Sequence, residues 1–403
     1  MVRSQGSIRG AARVRAYIGC FGSGLGHAGR MLEVARELKS RGWVVELSSS
    51  GEVAALIEKA GYRCNVLPLA DVSYSESGGF ALERTLMGSP SLLARTYHQV
   101  VLETANIARF APDVVLSDSA LSTVLAAKTL GFPVCTVLNQ LNLESPRRNG
   151  GIPSRLLSSG TSTVIGRLWE LSDQILLPDL PPPYTISERN LWGTNVKKTR
   201  YVGFLTPSAR AEPDSAALDF TSGNRRKIFW QVSGPPKTRP SFLRLAMECT
   251  RTMSDDYSFV VSAGNPAAST EATKIPGGWY YGWCSIANQY FRTCDLVVSR
   301  AGHGTIGQAL LSSKPSLLVP IPRQPEQEGN AAKAVKLGVS LRLDQCEASP
   351  SKIRETTERM LQDGFAERAR RLGDWAGAFD AKKEIVSALT LSARGVEAHP
   401  SPR

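Results

Sequence analysis

Two groups of residues in this chain have the side chains and spacing to do chemistry. The first joins His27, at the end of Phe21-Gly-Ser-Gly-Leu-Gly-His27, with Asp118, at the end of Pro112-Asp-Val-Val-Leu-Ser-Asp118. An imidazole titrating near neutrality can take a proton from a hydroxyl, and a carboxylate on its other nitrogen would fix the tautomer and stabilise the imidazolium. Gly24 and Gly26 in the same turn leave room for a ligand, although a tight turn with a capping histidine, and Asp118 as a helix N-cap before Ala120, are equally simple readings. The second group runs from Trp283 to Ala331. There Arg300-Ala-Gly-His-Gly-Thr305 follows the apolar run Asp295–Ser299 and precedes a helical stretch, Ile306–Leu311. Gly302 and Gly304 would let the backbone approach a ligand, and Thr305 with the first free amides of the helix would face an anion, for which a pyrophosphate is the natural occupant. His303 reads either as a second phosphate contact or as a helix-start residue. Gln308 can offer an amide oxygen to a ribose diol. Trp283 is either core or a flat stacking surface, worth ~1 kcal/mol beyond area burial.

The surrounding elements must bring these groups to one place. Val14–Cys20 reads as a strand, the glycine turn follows, and Ala28–Arg41 is helical with a stop at Gly42. Trp43–Ser48, Cys64–Leu67, Val114–Ser117 and Val134–Leu138 alternate with the helical stretches Val53–Ala60, Leu92–Phe110 and Ala120–Leu130. Such alternation predicts an α/β fold with a doubly wound parallel sheet. Its ligands gather at strand carboxyl ends, so the loops holding His27, Asp118 and Asn139-Gln140 should share one crevice. Asp173–Leu177 and Arg200–Phe204 complete this first domain, 1–205. The polar stretch 206–226 reads as a linker. Lys227–Val232, ending in Ser233-Gly234, opens a second domain over 227–365. A helix over 366–391 should kink between Gly373 and Gly377, and 392–403 is a tail.

Composition narrows the class. A chain of 403 residues with 42% hydrophobic content suits two domains. A net charge of +12 favours anionic ligands or an anionic membrane surface, and is equally common in soluble enzymes. Seven cysteines without CxxC spacing argue for reduced thiols, with neither a disulfide framework nor a zinc site. No run reaches the ~18–20 apolar residues of a membrane span, and no export signal follows Arg3, Arg9, Arg13 and Arg15. The expectation is a cytoplasmic protein.

The stretch 283–331 resembles the nucleotide-sugar motif HGGxGTxxEALxxGxPxxxxPxxxDQxxNA of family B (GT-B) glycosyltransferases, found in glucuronosyl- and macrolide-type enzymes and, with Arg first, in MurG-like N-acetylglucosaminyltransferases. Arg300 stands in the His/Arg slot, Gly302 and Thr305 in the Gly and Ser/Thr slots, Ala309-Leu310 follow, and Pro315 and Pro320 keep their places. Glu326-Gln327 and Asn330-Ala331 replace DQxxNA. Gln308 occupies the usual glutamate slot, and Lys314 that of a small residue. The resemblance implies two Rossmann-like domains facing a cleft and inverting transfer from a UDP-sugar. In that frame His27 is the base, oriented by Asp118, Ser233 and Gly234 contact phosphate, Trp283 stacks on uracil, and Arg300 with the helix start neutralises the diphosphate. Glu326 and Gln327 complete the donor site. The sequence has no DxD motif, so neither a metal nor another cofactor is expected, and no nucleic acid. The long connections 71–91 and 142–169 mix apolar residues with arginines. Arg147, Arg148 and Arg155 would suit a lipid-phosphate-linked acceptor at the cytoplasmic membrane face. A soluble acceptor, UDP-sugar 2-epimerisation and a noncatalytic partner subunit are the alternatives.

Overall fold

The structure is a computed structural model that describes residues 13–70, 89–140, 167–191, 198–207 and 212–397. Arg147, Arg148 and Arg155, and most of the two long connections, lie outside the described residues. The first sheet holds β1 (Arg15–Cys20), β2 (Val44–Ser49), β3 (Cys64–Val66), β4 (Val114–Asp118), β5 (Val134–Val137), β6 (Gln174–Leu177) and β7 (Thr199–Tyr201), in the order β3-β2-β1-β4-β5-β6-β7. All its pairs are parallel, with Gly19 opposite Ser117 and Cys20 opposite Asp118. The helices α1 (Leu25–Ser40), α2 (Gly51–Lys59), α3 (Ser89–Phe110), α4 (Leu121–Thr129) and α5 (Glu188–Leu191) lie between the strands. Every residue of β4 is buried, Asp118 included, as expected for a central strand covered on both faces.

The second sheet orders β8 (Arg226–Gln231), β9 (Tyr257–Ser262), β10 (Ala272–Ile275), β11 (Gly278–Tyr281), β12 (Leu296–Ser299), β13 (Ser316–Leu318) and β14 (Ser340–Arg342) as β10-β11-β9-β8-β12-β13-β14. It is parallel except at one edge. There β10 and β11 form an antiparallel hairpin whose turn contains Gly277 at φ 71°, a conformation the missing Cβ makes accessible. The helices from here to the end of the described residues are α6 (Ser215–Ser222), α7 (Arg239–Thr252), α8 (Ala287–Thr293), α9 (His303–Leu311), α10 (Pro325–Lys336), α11 (Pro350–Gln362), α12 (Phe365–Ala376) and α13 (Ala381–Glu397). In both sheets the winding direction reverses beside the first strand, between β1 and β4 and between β8 and β12. Those reversals open the crevices in which such sheets bind ligands.

Three local readings change. The stretch 206–226 contains α6, capped by Asp214, whose carboxylate accepts from Ala217 N at 2.8 Å. Ala216, Ala217 and Phe220 on this helix pack with Phe229, Tyr281 and Tyr290, so it belongs to the second core. The segment 366–391 is two helices, not one kinked helix, because α12 stops at Ala376 and α13 begins at Ala381. Gly373 is a packing residue: a Cβ there would meet Leu310 O at 2.2 Å. Helix α13 returns to the first sheet, where Ile385, Val386 and Leu389 join Met31, Leu38 and Val114 in one core. Burying each such side chain contributes about 1.5–3 kcal/mol. A further core, containing Leu180, Ile186 and Phe204 with Ile306, Leu310 and Ala334, joins the end of the first domain to the second.

Candidate active site

Strand β1 delivers the chain into Phe21–Gly24, and α1 starts after Gly24, whose φ of 94° reverses the path. His27 lies in the first turn of α1 and Arg30 three residues on, the spacing that puts two side chains on one helix face. Both meet Asp118, the last residue of β4. His27 Nδ1 is 3.1 Å from Asp118 Oδ1, and Arg30 forks onto the carboxylate, Nε to Oδ2 at 2.7 Å and Nη2 to Oδ1. Arg30 Nη2 is also 3.0 Å from His27 Nδ1. Burial alone would push the Asp118 carboxyl up, but the charge of Arg30 and then that of His27 outweigh it and hold it down at about 2. Asp118 is therefore a carboxylate throughout the working pH range. It is not a cap for α4, whose N-cap is Ala120. The Phe21 ring stands edge-on to His27 at 5.5 Å and leaves the imidazole half-buried.

From β5, Asn139 adds its oxygen, 3.4 Å from both Arg30 Nη1 and Nη2. Its amide nitrogen donates across the cleft to Glu326 Oε1 at 3.2 Å. The His27–Asp118–Arg30 cluster and Glu326 of the second domain are thus linked through Asn139. Arg239 forms a second bridge between the domains, with Nη1 and Nη2 on the two oxygens of Glu52 at 3.0 and 2.6 Å.

On the second domain, α9 begins at His303, with Gly302 as an N-cap that has no side-chain partner for the helix amides. The amides of His303 and Gly304 precede the first intrahelical bonds and carry the positive end of the helix dipole. Gly302 has φ of −69°, so it is not required for its backbone angle; a side chain at Gly304, or at Gly26 in the first domain, would meet no atom of the described residues within 4 Å. Gly234, after β8, does need to be glycine, with φ of 99° and Thr238 Oγ1 at 3.0 Å from where a Cβ would sit. Ser233, Trp283 and Thr305 are half-buried. Gln308 gives its Nε2 to Asn288, whose own amide donates to Pro207 O at 2.8 Å, leaving the Gln308 oxygen as its acceptor group.

Three expected ligand contacts are employed elsewhere. Arg300 is wholly buried; its Nη1 donates to Val319 O at 3.1 Å and its Nη2 to Thr238 O at 3.0 Å, and the guanidinium lies 4.4 Å from the Phe242 ring centroid. It ties together the loops after β8 and β13, and burial lowers its pKa to about 10. His303 turns down toward the first domain, its Nε2 3.0 Å from Asp179 Oδ2 and its ring 5.6 Å from that of Phe204. Asp179 also accepts from the amides of Leu180, Ile186 and Ser187. Gln327 uses its side-chain oxygen to accept from Ile321 N at 2.9 Å, bracing the turn before α10. Arg30 is a residue that sequence reasoning left out of the site, and Asn139 was expected in the crevice without a role there. The His-x-x-Arg spacing was the available signal for Arg30, and for Asn139 its place at the end of the strand next to β4. Among the described residues no cluster of His, Cys, Asp or Glu could hold a metal ion.

Comparison with known proteins places this geometry. Residues 256–384 match the family model for the glycosyltransferase family 28 C-terminal domain. An uncharacterized glycosyltransferase of Methanosarcina mazei is 29% identical over 389 residues, 92% of this chain and 97% of that protein. The UDP-N-acetylglucosamine--N-acetylmuramyl-(pentapeptide) pyrophosphoryl-undecaprenol N-acetylglucosamine transferase of Prochlorococcus marinus is 40% identical over 73 residues, 18% of this chain and 20% of that one. Among solved structures, spinosyn forosaminyltransferase superposes with a TM-score of 0.67 at 15% identity, covering 95% of this chain and all of the other. A glycosyltransferase of Streptomyces sp. SF2575 complexed with thymidine diphosphate gives 0.67 at 18% identity, over 94% and 100%.

Proposed function

We propose that this chain, a glycosyltransferase of the GT-B fold with a family 28 C-terminal domain, inverts the anomeric centre of a UDP-sugar as it transfers the sugar, in our reading N-acetylglucosamine, to a hydroxyl of a polyprenyl- or dolichyl-phosphate-linked sugar. The observation that carries the reading is the His27–Asp118 pair at the end of β4, linked through Asn139 to Glu326 of the donor motif. With Nδ1–H held by Asp118, His27 Nε2 is free to accept the acceptor hydroxyl proton as its oxygen attacks the anomeric carbon. The sugar–phosphate bond breaks on the opposite face, and the diphosphate leaves with its charge toward the His303 and Gly304 amides of α9. With Arg300 buried, those amides and the helix dipole take the role assigned to its charge. Trp283 supports the uracil, and the Gln308 oxygen accepts from a ribose hydroxyl.

The lipid-linked acceptor rests on two supports. One is the 73-residue likeness to a transferase whose acceptor is an undecaprenol derivative. The other is an exposed apolar stripe on α3, Leu93, Tyr97 and Val101, one helical turn apart. Such a stripe can enter the headgroup boundary of a bilayer, and no helix of the described residues is long and apolar enough to cross one. The test pairs transfer from UDP-N-acetylglucosamine to a polyprenyl-diphosphate-linked sugar with sedimentation on anionic vesicles. Transfer, with vesicle binding at low salt that is lost in Leu93→Glu/Tyr97→Glu, is the expected result. Transfer to a small soluble aglycone without vesicle binding would overturn the acceptor assignment.

A further inference from the structure

The nitrogen His27 needs protonated to act as a base is claimed by two partners. Nδ1 stands 3.1 Å from Asp118 Oδ1, which can only accept from it, and 3.0 Å from Arg30 Nη2, which can only donate to it. The two contacts exclude each other. If Nδ1 carries the proton and donates to Asp118, Nε2 is a free acceptor and the ring is a base. If Arg30 donates to Nδ1, the proton sits on Nε2 and the ring cannot take another from a hydroxyl without becoming an imidazolium pinned against the guanidinium.

What decides between them is where Arg30 sends its spare Nη2 hydrogen. One hydrogen goes to Asp118 Oδ1. The other has two candidate acceptors, His27 Nδ1 and Asn139 Oδ1 at 3.4 Å. Asn139 can present its oxygen to Arg30 only while its amide nitrogen faces the other way. Glu326 holds it so, because a carboxylate accepts but does not donate and takes that N–H at 3.2 Å. Glu326 belongs to α10 of the second domain, and the other four residues, His27, Arg30, Asp118 and Asn139, to the first.

We propose that Arg30 and Asn139 are positioning residues that transmit the presence of Glu326 to the tautomer of His27, so that the base is armed only when the two domains are closed on each other. Closure places Glu326, Asn139 turns its oxygen to Arg30, Arg30 releases Nδ1, and His27 donates to Asp118. Opening removes the carboxylate, lets the amide turn, and sends the Arg30 hydrogen to Nδ1, which leaves the imidazole idle. An enzyme with this arrangement does not deprotonate an acceptor in an open cleft. The inference rests on His27 being the base.

The tautomer can be read without substrate. The chain has four histidines, so the ring nitrogens of a 15N-histidine-labelled sample form a small set, and His27 is assigned by its loss in His27→Gln. The expected result is the Nδ1–H form in the unaltered protein. In Asn139→Ala, and separately in Glu326→Ala, a swing of about tenfold toward Nε2–H is expected, in line with losing one hydrogen bond to a charged group. Glu326 is half-buried at the domain surface, so its variant keeps the test open should Asn139→Ala fold poorly. Asn139→Ala should also lower kcat about tenfold with donor KM unchanged. If both variants keep the Nδ1–H form, the relay is overturned while the base assignment stands. If His27→Ala retains turnover, the base assignment falls, and the relay with it.

Discussion

Replacing Asp118 by Asn removes one charge from a group with no exposed surface and two cationic or potentially cationic neighbours. Its carboxyl is lowered from 3.8 to about 2, so pairing with Arg30 and His27 contributes about 2 kcal/mol to the folded state near neutral pH. Because the folded value is the lower one, this stability is fully present above pH ~4 and fades as pH falls through about 2. The substitution costs more than the pair is worth, since Arg30 stays buried with its fork half filled, and losses of ~3–5 kcal/mol are usual in that situation. At roughly 2–4 °C per kcal/mol in domains of this size, melting should fall by about 6–20 °C. Catalysis should suffer separately. An asparagine amide can donate to His27 Nδ1 and so impose the Nε2–H tautomer, and such a swap beside a catalytic histidine has cost as much as ~10⁴ in turnover. The assay is turnover at saturating donor, measured at a temperature at least 15 °C below the variant's own midpoint, with UDP binding followed by calorimetry. Loss of turnover with UDP affinity retained is expected. A variant melting within 2 °C of the unaltered protein, or turning over within threefold of it, would refute the argument that Asp118 both neutralises Arg30 and orients His27.

His27→Ala should lower turnover by roughly 10²–10⁴ and leave UDP affinity nearly unchanged, since a general base acts on the barrier and not on donor binding; a value within tenfold of the unaltered enzyme would move the base elsewhere. Trp283→Ala should remove most of the rise in melting temperature that UDP produces, and an undiminished rise would end the stacking assignment. Arg300→Met should leave the carbonyls of Val319 and Thr238 without their donor, at about 1–3 kcal/mol each, and lower the melting temperature while the shift induced by UDP persists. Loss of UDP binding in a folded Arg300→Met protein would return the guanidinium to the phosphate site.

Most of the strands and helices of the first sheet, and its winding, are legible in the chain. Continuous apolar strands such as Val114–Ser117, alternating with helical periodicity, require a parallel sheet covered on both faces, and a parallel sheet sends its strand-end loops to one crevice; that is why His27 and Asp118 could be paired across 91 residues without coordinates. The sequence also pointed to a helix after the glycine turn, though it began that helix at Ile306 where α9 begins at His303. The short strands β10, β13 and β14 were not legible, as three or four residues carry too little periodicity to stand apart from a loop. Nor could the sequence assign charged side chains their partners. Arg300 fits the phosphate slot by position, yet its side chain points into the protein, where the carbonyls after β13 need donors that water cannot supply. His303, read either as a phosphate contact or as a helix-start residue, opens α9 and turns its ring to Asp179, 124 residues earlier in the chain. Arg30, lying on the inner face of α1, became a partner of Asp118 only once β4 was seen to end beneath it. Spacing along the chain determines which backbone atoms can meet; which charges then pair depends on what burial leaves unsatisfied, and only the packed structure decides that.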